Sequence, residues 1–266
     1  MISFLRFIAI GFPFLFWCLV IMIDDNSLVE AGNQKLIIPA YFYPGQDWIK
    51  INSASNVIGI VIANPNSGPG SSSDSTYKNQ IKITQKTGIS VIGYVHTSYG
   101  KRKIDTVKKE ISNWVKWYNI KGIFLDEVPN DYDDPTGNLY LNYYKDLNSF
   151  IKSKITNGIT VLNPGSFPPE SYLTAGDIIC TFESPYSNYK KTVGNYSPRP
   201  WVSNYAADRF YHIVFNVNST ANLQDTITLS NQRNAKYLYV TSLNLPNPYA
   251  RLPPATFWNK EVTLLK

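Results

Sequence analysis

Acidic residues directly follow two apolar segments of this 266-residue chain. The segment Gly122–Leu125 leads into Asp126 and Glu127. A second segment, Ile178–Phe182, leads into Glu183. Ligands of parallel α/β folds bind outside the carboxyl ends of the strands, so acids at these positions indicate chemistry at one shared edge. The alternative interpretation of the first pair is ordinary capping of a strand end.

Two carboxyl groups facing each other across a sugar are what glycoside hydrolysis requires. One protonates the departing oxygen, and the other attacks the anomeric carbon or activates water. Because strand side chains alternate between faces, only one of the adjacent Asp126 and Glu127 can point into the mouth if both stay on the strand. The other would orient neighbouring groups or raise the pKa of its neighbour through like-charge proximity.

Eight short apolar segments have the length and composition of β-strands, and helical segments separate most of them. The predicted strands are Lys35–Tyr43, Val57–Ala63, Ile89–Val95, Gly122–Leu125, Ile159–Leu162, Ile178–Phe182, Phe210–Phe215 and Tyr237–Val240. The predicted helices are Ser75–Thr87, Ile104–Tyr118, Leu139–Ile151, Ala221–Asn234 and Thr256–Lys260. This pattern predicts an α/β fold, a single (β/α)8 TIM barrel. A doubly wound sheet is the alternative, although Gly68–Ser73 lacks the third glycine of a nucleotide-binding turn.

Polar and aromatic side chains follow the other predicted strands, which suggests a binding site for a hydroxyl-rich ligand. The substrate-binding candidates are Tyr41, Tyr43, Asn64, Asn66, Tyr94, Thr97, Tyr99, Asn163, Tyr186 and Asn216. Turn chemistry also places asparagine at strand ends, so Asn64, Asn163 and Asn216 have a structural alternative. His96 and His212 are the only histidines of the chain, which argues against a multi-histidine metal site or a Ser-His-Asp triad. We expect neither a metal nor a cofactor.

The N-terminal segment predicts export. Residues 7–23 carry no charge, Arg6 precedes them, and Asp24 and Asp25 follow. We predict a signal peptide over residues 1–31, with an uncleaved signal anchor at residues 7–23 as the alternative. In both cases the barrel domain, residues 32–266, lies outside the cell, secreted or associated with the cell wall. The sequons at Asn195 and Asn218 are compatible with secretion.

The composition limits the disulfides that the domain can form and the partners that it can bind. Cys180 is the only cysteine outside the leader, so no internal disulfide can form, and its apolar surroundings predict a small buried side chain. The net charge is +6, yet no basic run resembles a nucleic-acid-binding module. We therefore expect a monomer that binds a polysaccharide and no nucleic acid, with membrane attachment only through the N-terminal segment.

Five segments occur in an order that resembles the spherulin 4-like proteins. They are Tyr41–Pro44, Asn64–Gly70, Gly93–Gly100, Gly122–Glu127 and Phe182–Glu183. The resemblance covers roughly residues 36–245. It implies a (β/α)8 glycoside hydrolase whose fungal relatives are endo-acting on α-1,4-linked N-acetylgalactosamine in galactosaminogalactan, a secreted or wall-associated polymer.

The resemblance also implies roles for the three acids, with Asp126 as nucleophile, Glu183 as acid/base and Glu127 as a supporting catalytic acid. The expected function is thus an endo-acting glycoside hydrolase with a two-carboxylate, retaining mechanism. A non-catalytic wall or polysaccharide-binding protein is the alternative, because spherulin-type proteins are associated with encystment. An exo-acting or transglycosylating enzyme is a third interpretation.

Overall fold

The described part of the chain begins just before the first strand. The computed structural model describes residues 34–191, 197 and 199–266. The predicted leader, residues 1–31, and the sequon at Asn195 lie outside these residues. No helix within the described residues has the length and apolar character needed to cross a bilayer.

Eight parallel strands close into a barrel in which each strand pairs with the next along the chain and β8 pairs with β1. This order confirms the predicted (β/α)8 barrel and excludes the doubly wound sheet. The strands are β1 Lys35–Ala40, β2 Ile58–Ala63, β3 Ser90–His96, β4 Gly122–Asp126, β5 Ile159–Leu162, β6 Ile178–Pro185, β7 Phe210–Phe215 and β8 Tyr237–Val240.

Helices cover the outside of the barrel. They are α1 Gln46–Ser53, α2 Ser75–Lys86, α3 Ile104–Tyr118, α4 Leu141–Lys154, α5 Tyr186–Lys191, α6 Thr220–Gln232 and α7 Ala255–Leu264. The 3-10 helix Glu170–Thr174 takes the place of an α-helix between β5 and β6. Helices α1 and α5 were not predicted, because α1 buries only Trp48 and Ile51 and α5 only Tyr189, too few positions to show a helical period.

The first and sixth strands end at different residues from those predicted. The backbone N–H of Tyr41 donates to Pro39 O at 3.1 Å, a tight turn that ends β1 at Ala40. In contrast, β6 continues through Glu183 to Pro185, because both residues stay paired with β7. Glu183 therefore lies within a strand and not in the loop that follows it.

A close approach of α3 to β3 fixes one side of the barrel mouth. A Cβ atom at Gly93 would lie 2.4 Å from the Trp114 ring, so only glycine permits this contact. The Trp114 indole N–H donates to Tyr94 O at 2.9 Å. The contact thereby fixes the backbone of Tyr94, whose side chain reaches the barrel mouth.

Helix α7 buries a carboxyl group against β8. Glu261 is fully buried, and its Oε1 accepts a hydrogen bond from Val240 N at 3.3 Å. Its Oε2 has no hydrogen-bond partner among the described residues. Burial raises the pKa of Glu261 to about 8, against a smaller opposing effect of the hydrogen bond from Val240. The protonated form therefore predominates at neutral pH.

Replacing Glu261 should flatten the pH dependence of stability. A carboxyl group whose pKa rises on folding stabilises the protein most below its unfolded pKa, near 4.5, and this contribution is lost as pH rises towards 8. Between pH 5 and pH 8 the parent should lose up to about 4 kcal/mol more free energy of unfolding than Glu261→Gln. Urea unfolding at both pH values measures this difference.

The control is Glu170→Gln, which makes the same chemical change at an exposed position and should follow the parent. Identical pH profiles for Glu261→Gln and the parent would contradict the burial of an uncompensated carboxyl group.

Candidate active site

One asparagine lies between two acids at the carboxyl edge of the barrel. Asn163 directly follows β5, between Asp126 at the end of β4 and Glu183 on β6. Its Nδ2 atom donates to Asp126 Oδ1 at 2.8 Å and to Glu183 Oε2 at 2.8 Å. Its Oδ1 accepts from Gly165 N at 3.0 Å, which fixes the orientation of the amide. Asp126 and Glu183 are thus coupled through a single nitrogen.

This shared donor limits the separation of the acids. Two oxygens that each lie 2.8 Å from one nitrogen can be at most twice that distance, about 5.6 Å, apart. The two hydrogens of an amide nitrogen diverge by about 120°, which puts these two facing oxygens, but not the whole carboxyl groups, about 5 Å apart. Carboxyl groups of retaining glycosidases lie ~5–5.5 Å apart, and those of inverting enzymes ~6.5–9.5 Å.

The environment raises the pKa of both acids. Burial raises the pKa of Asp126, while hydrogen bonds from Tyr94, the Glu127 backbone and Asn163 oppose the rise. Burial and then the charge of Asp126 raise the pKa of Glu183, against hydrogen bonds from Tyr249 and Asn163. Two interacting acids release their protons in separate steps, so within an interval of pH one is neutral while the other is charged.

Three tyrosines surround the acids. Tyr94 Oη donates to Asp126 Oδ2 at 2.6 Å, and Tyr249 Oη donates to Glu183 Oε1 at 2.5 Å. Tyr41 packs edge-on against both rings, with centroid distances of 5.4 Å to Tyr94 and 5.5 Å to Tyr249. Burial, followed by the charge of Asp126, raises the pKa of Tyr41 well above its ordinary value. The phenols therefore remain neutral donors around the acids.

Glu127 lies on the β3 side of Asp126. Its backbone is left-handed, with φ 55°, so Glu127 is not part of the extended strand. The alternation of side chains between the two faces of β4 therefore ends at Asp126. Its Oε2 accepts from Ser98 N at 3.0 Å and lies 3.5 Å from His96 Nδ1. Within the described contacts, Glu127 is bonded to the β3 loop, whereas Asp126 and Glu183 are bonded to Asn163.

A β-bulge turns Glu183 towards the mouth. The register between β6 and β7 shifts between Cys180 and Phe182. Phe182 packs on Tyr189 of α5, outside the barrel, with a centroid distance of 4.5 Å. Glu183, the next residue, therefore faces inward and reaches Asn163.

Backbone strain is concentrated at this edge of the barrel. Non-glycine residues with positive φ follow four of the strands: Ser67, Ser98, Tyr99, Glu127 and Asn216. Such conformations cost free energy and cluster at functional sites, where the surrounding structure maintains them.

A cavity of about 570 Å³ opens beside the acids. Glu183 and Tyr94 border it, and the remaining lining comes from the end of β7 and from the loops after β1, β2 and β8. Of the predicted substrate-binding residues, it brings together Tyr41, Asn64, Asn66 and Tyr94. Asn64 also has a turn role, since its Oδ1 accepts from Gly68 N at 2.9 Å.

Thr97 requires a correction. It is fully buried, and its hydroxyl donates to Asp126 O at 2.8 Å and to Glu127 O at 2.9 Å. It also lies 2.7 Å from Tyr144 Oη of α4. A polar residue directly after a strand predicts a ligand contact, but this side chain points into the protein and holds the backbone of the two acids.

Tyr186 and Tyr43 also have structural contacts. Tyr186 Oη donates to Asp225 Oδ2 at 2.8 Å and joins α5 to α6, and Tyr186 is not among the residues that line the cavity beside the acids. Tyr43 is 59% exposed at the rim, where its hydroxyl donates to Asp74 Oδ2, at the N-cap of α2, at 3.2 Å.

The remaining two candidates are Asn216 and Tyr99. Asn216 has a left-handed backbone conformation, and its N–H donates to Leu243 O at 2.8 Å. This is the structural role in a turn that is the alternative to substrate binding for this residue. Tyr99 is 47% exposed on the β3 side of the mouth.

Sequence reasoning missed Tyr249, which contacts Glu183. This residue lies in the proline-rich segment after β8, where no helical or strand period marks it. The segment is tied to α1 by Leu252 N, which donates to Asp47 Oδ2 at 3.0 Å. The sequence signal that could have indicated Tyr249 is an aromatic residue in the loop after the last strand, because such loops form the mouth of a barrel.

No metal-binding arrangement is present in the described part of the chain. No group of three or more His, Cys, Asp or Glu side chains there is placed to hold an ion.

Comparison with known proteins identifies relatives over the whole barrel. A profile of the spherulation-specific family 4 matches residues 35–265. Spherulin-4 of Physarum polycephalum is 35% identical over 199 residues, which cover 71% of this chain and 58% of that protein. The chain thus matches little more than half the length of this curated relative.

Solved structures show the same architecture. Aspergillus clavatus Sph3, crystallised in complex with GalNAc, matches with a TM-score of 0.74 and 25% identity over 88% of this chain and 98% of that chain. A Rhizomucor miehei chitinase matches with a TM-score of 0.57 and 16% identity over 87% and 100% of the two chains, a likeness of fold alone. The chain has a glycoside hydrolase-like barrel and belongs to the spherulation-specific family 4.

Proposed function

We propose that this protein is an endo-acting glycoside hydrolase that cleaves an amino-sugar polysaccharide, with α-1,4-linked N-acetylgalactosamine as the preferred polymer. The observation that carries the proposal is the pair Asp126 and Glu183, whose facing oxygens lie about 5 Å apart because both accept from the Asn163 amide nitrogen at 2.8 Å. The similarity to Sph3, which was crystallised with GalNAc, supports the choice of sugar.

The separation favours a retaining reaction in two steps. Asp126 attacks the anomeric carbon while Glu183 gives its proton to the departing glycosidic oxygen, so a glycosyl ester forms as the glycosidic bond breaks. Water then attacks the same carbon, gives a proton to the Glu183 carboxylate and releases Asp126. Burial and then the charge of Asp126 raise the pKa of Glu183, which supports an ionised Asp126 beside a protonated Glu183.

Glu127 has a supporting role in this proposal. Its charge contributes to the raised pKa of Asp126, and its contacts with Ser98 and His96 fix it beside the nucleophile. The barrel would act outside the cell, secreted, wall-associated or anchored by residues 7–23, because that segment is uncharged and is preceded by Arg6.

Removing either acid should abolish cleavage while leaving the polymer bound. Asp126→Asn and Glu183→Gln should each lower kcat at least about 10³-fold, because each loses a group needed in the transition state. New reducing ends released from α-1,4-linked N-acetylgalactosamine polymer measure the rate. Tyr186→Phe, which removes a hydroxyl that bonds Asp225 and does not line the cavity, should cleave like the parent.

If both acid variants cleave like the parent, the assigned roles are wrong. If the parent binds the polymer and releases no new reducing ends, the protein is a polysaccharide-binding member of the family instead of a hydrolase.

Two phenol variants separate the roles of the acids. Hydrogen bonds from Tyr94 and Tyr249 lower the pKa of Asp126 and Glu183 respectively, so removing each hydroxyl raises the pKa of its partner. Tyr94→Phe should move the acidic limb of the kcat/KM profile to higher pH, because the nucleophile must be ionised. Tyr249→Phe should move the alkaline limb to higher pH, because the acid stays protonated longer. If Tyr94→Phe instead moves the alkaline limb and Tyr249→Phe the acidic limb, Glu183 is the nucleophile and Asp126 the acid/base.

A further inference from the structure

Four lysines border a groove on the side of the barrel, between α2 and the end of α3, which we call the lysine groove. Lys78, Lys82 and Lys86 occupy every fourth position of α2, so they leave one side of the helix about 6 Å apart. Lys121, just before β4, completes the set. All four residues are exposed, and they line a cavity of about 460 Å³. The groove therefore concentrates positive charge.

No acid neutralises the lysine groove within the described part of the chain. Lys78 follows Asp74 by four residues, the spacing of a helical ion pair, but the Asp74 carboxylate caps α2 by accepting from two backbone N–H groups. None of the four lysines forms an ion pair with a described acid, whereas Lys108 of α3 pairs with Asp146 at 2.8 Å. Charges of one sign along a cleft attract a ligand of the opposite sign.

The shape of the lysine groove favours a single polymer chain over a membrane. One wall is α2, and the other is the end of α3 with Asn119 and Lys121. A bilayer surface is flat, so it contacts the outermost side chains and does not enter a cavity between two helices. A chain that is one sugar or one nucleotide wide can lie between the walls, where a cleft buries most of its surface.

The lining offers no platform for nucleic-acid bases. Single-stranded nucleic acids bind through aromatic side chains on which their bases stack. Tyr118 is the single aromatic residue of the described lining, and it is only 3% exposed. Its hydroxyl accepts from Asp74 N at 3.0 Å and donates to Pro69 O at 3.3 Å. The ring of Tyr118 therefore belongs to the core, and bases have nothing to stack on.

Two amide side chains provide partners for hydroxyl groups instead. Gln85 of α2 and Asn119 lie on opposite walls, and Gln85 Nε2 donates to Asn119 O at 3.2 Å. Asn119 is exposed, and its side-chain amide makes no hydrogen bond within the described contacts. Amide groups both donate to and accept from hydroxyls. Lysines and amides together suit a polymer whose units carry both negative charges and hydroxyl groups.

The lysine groove is separate from the barrel mouth. Helix α2 begins at the rim, where Tyr43 Oη donates to the N-cap residue Asp74 at 3.2 Å, and it ends at the opposite end of the barrel, before β3. Lys121 precedes β4 and Asp126 ends it, so about 16 Å of strand separates them. A ligand in the groove leaves the mouth open, and the carboxylates of the mouth repel the same anionic ligand.

We propose that the lysine groove binds an acidic polysaccharide, a chain whose sugars carry carboxylate groups, and so attaches the barrel to a polyanionic matrix. The lysines pair with the carboxylates, while Gln85 and Asn119 bind hydroxyl groups. This attachment does not depend on the reaction proposed for Asp126 and Glu183, because the two sites share no residue.

The experiment measures the affinity of the full chain for polygalacturonate at low ionic strength. The parent should bind, and added salt should weaken the binding because it screens charge pairs. The double variant Lys82→Gln with Lys86→Gln should lose about tenfold in affinity. The matched control, Lys145→Gln with Lys260→Gln, removes the same two charges from exposed positions of α4 and α7. It should bind within about twofold of the parent.

Equal losses in the two double variants would assign the binding to net charge and overturn the lysine groove. Unchanged binding in the groove variant, or no binding of polygalacturonate by the parent, would overturn it as well. So would tighter binding of phosphatidylserine vesicles or of an oligothymidylate than of polygalacturonate, because either result identifies a different kind of ligand. If the parent cleaves no amino-sugar polymer, the hydrolase proposal fails, and these affinities still decide about the groove.

Discussion

The hydrogen bonds of a single amide nitrogen determine the geometry on which the rest of the mouth depends. Asn163 donates to Asp126 and to Glu183 and so brings together two half-buried acids that would otherwise repel each other. Tyr94 and Tyr249 donate to the outer oxygens of the same acids. Without these donors, burial of two carboxyl groups would favour the neutral form of both.

The barrel provides this arrangement because β4, β5 and β6 are neighbours in a parallel sheet. Side chains at their carboxyl ends must converge, and the bulge in β6 turns Glu183 inward. The supporting tyrosines depend on contacts farther out. Trp114 packs against Gly93 and holds Tyr94, while Asp47 of α1 ties down the segment that carries Tyr249.

Much of the fold could be predicted from the sequence because apolar runs have characteristic lengths. The bounds of β5, β7, β8 and α3 agree with the prediction, since turn residues and a clear helical period mark their ends. The strand pattern also predicted that the acids lie at one edge of the barrel, because the carboxyl ends of parallel strands share one edge.

Side-chain direction was harder to predict. Thr97 follows a strand as a ligand contact would, but its hydroxyl bonds the backbone beneath the acids. Tyr186 follows β6 and joins two helices instead. The inward turn of Glu183 depends on a bulge, and the contact of Tyr249 depends on how the last loop crosses the mouth. These are tertiary features without a local periodic signal.

The anomeric configuration of the first product tests the central claim most directly. In the proposed mechanism Asp126 itself attacks the anomeric carbon, in keeping with facing carboxyl oxygens about 5 Å apart. Proton NMR during the first minutes of hydrolysis of an α-linked N-acetylgalactosamine oligomer, before mutarotation, should show the α-anomer at the new reducing end. Initial formation of the β-anomer would contradict the account, because it requires direct attack by water.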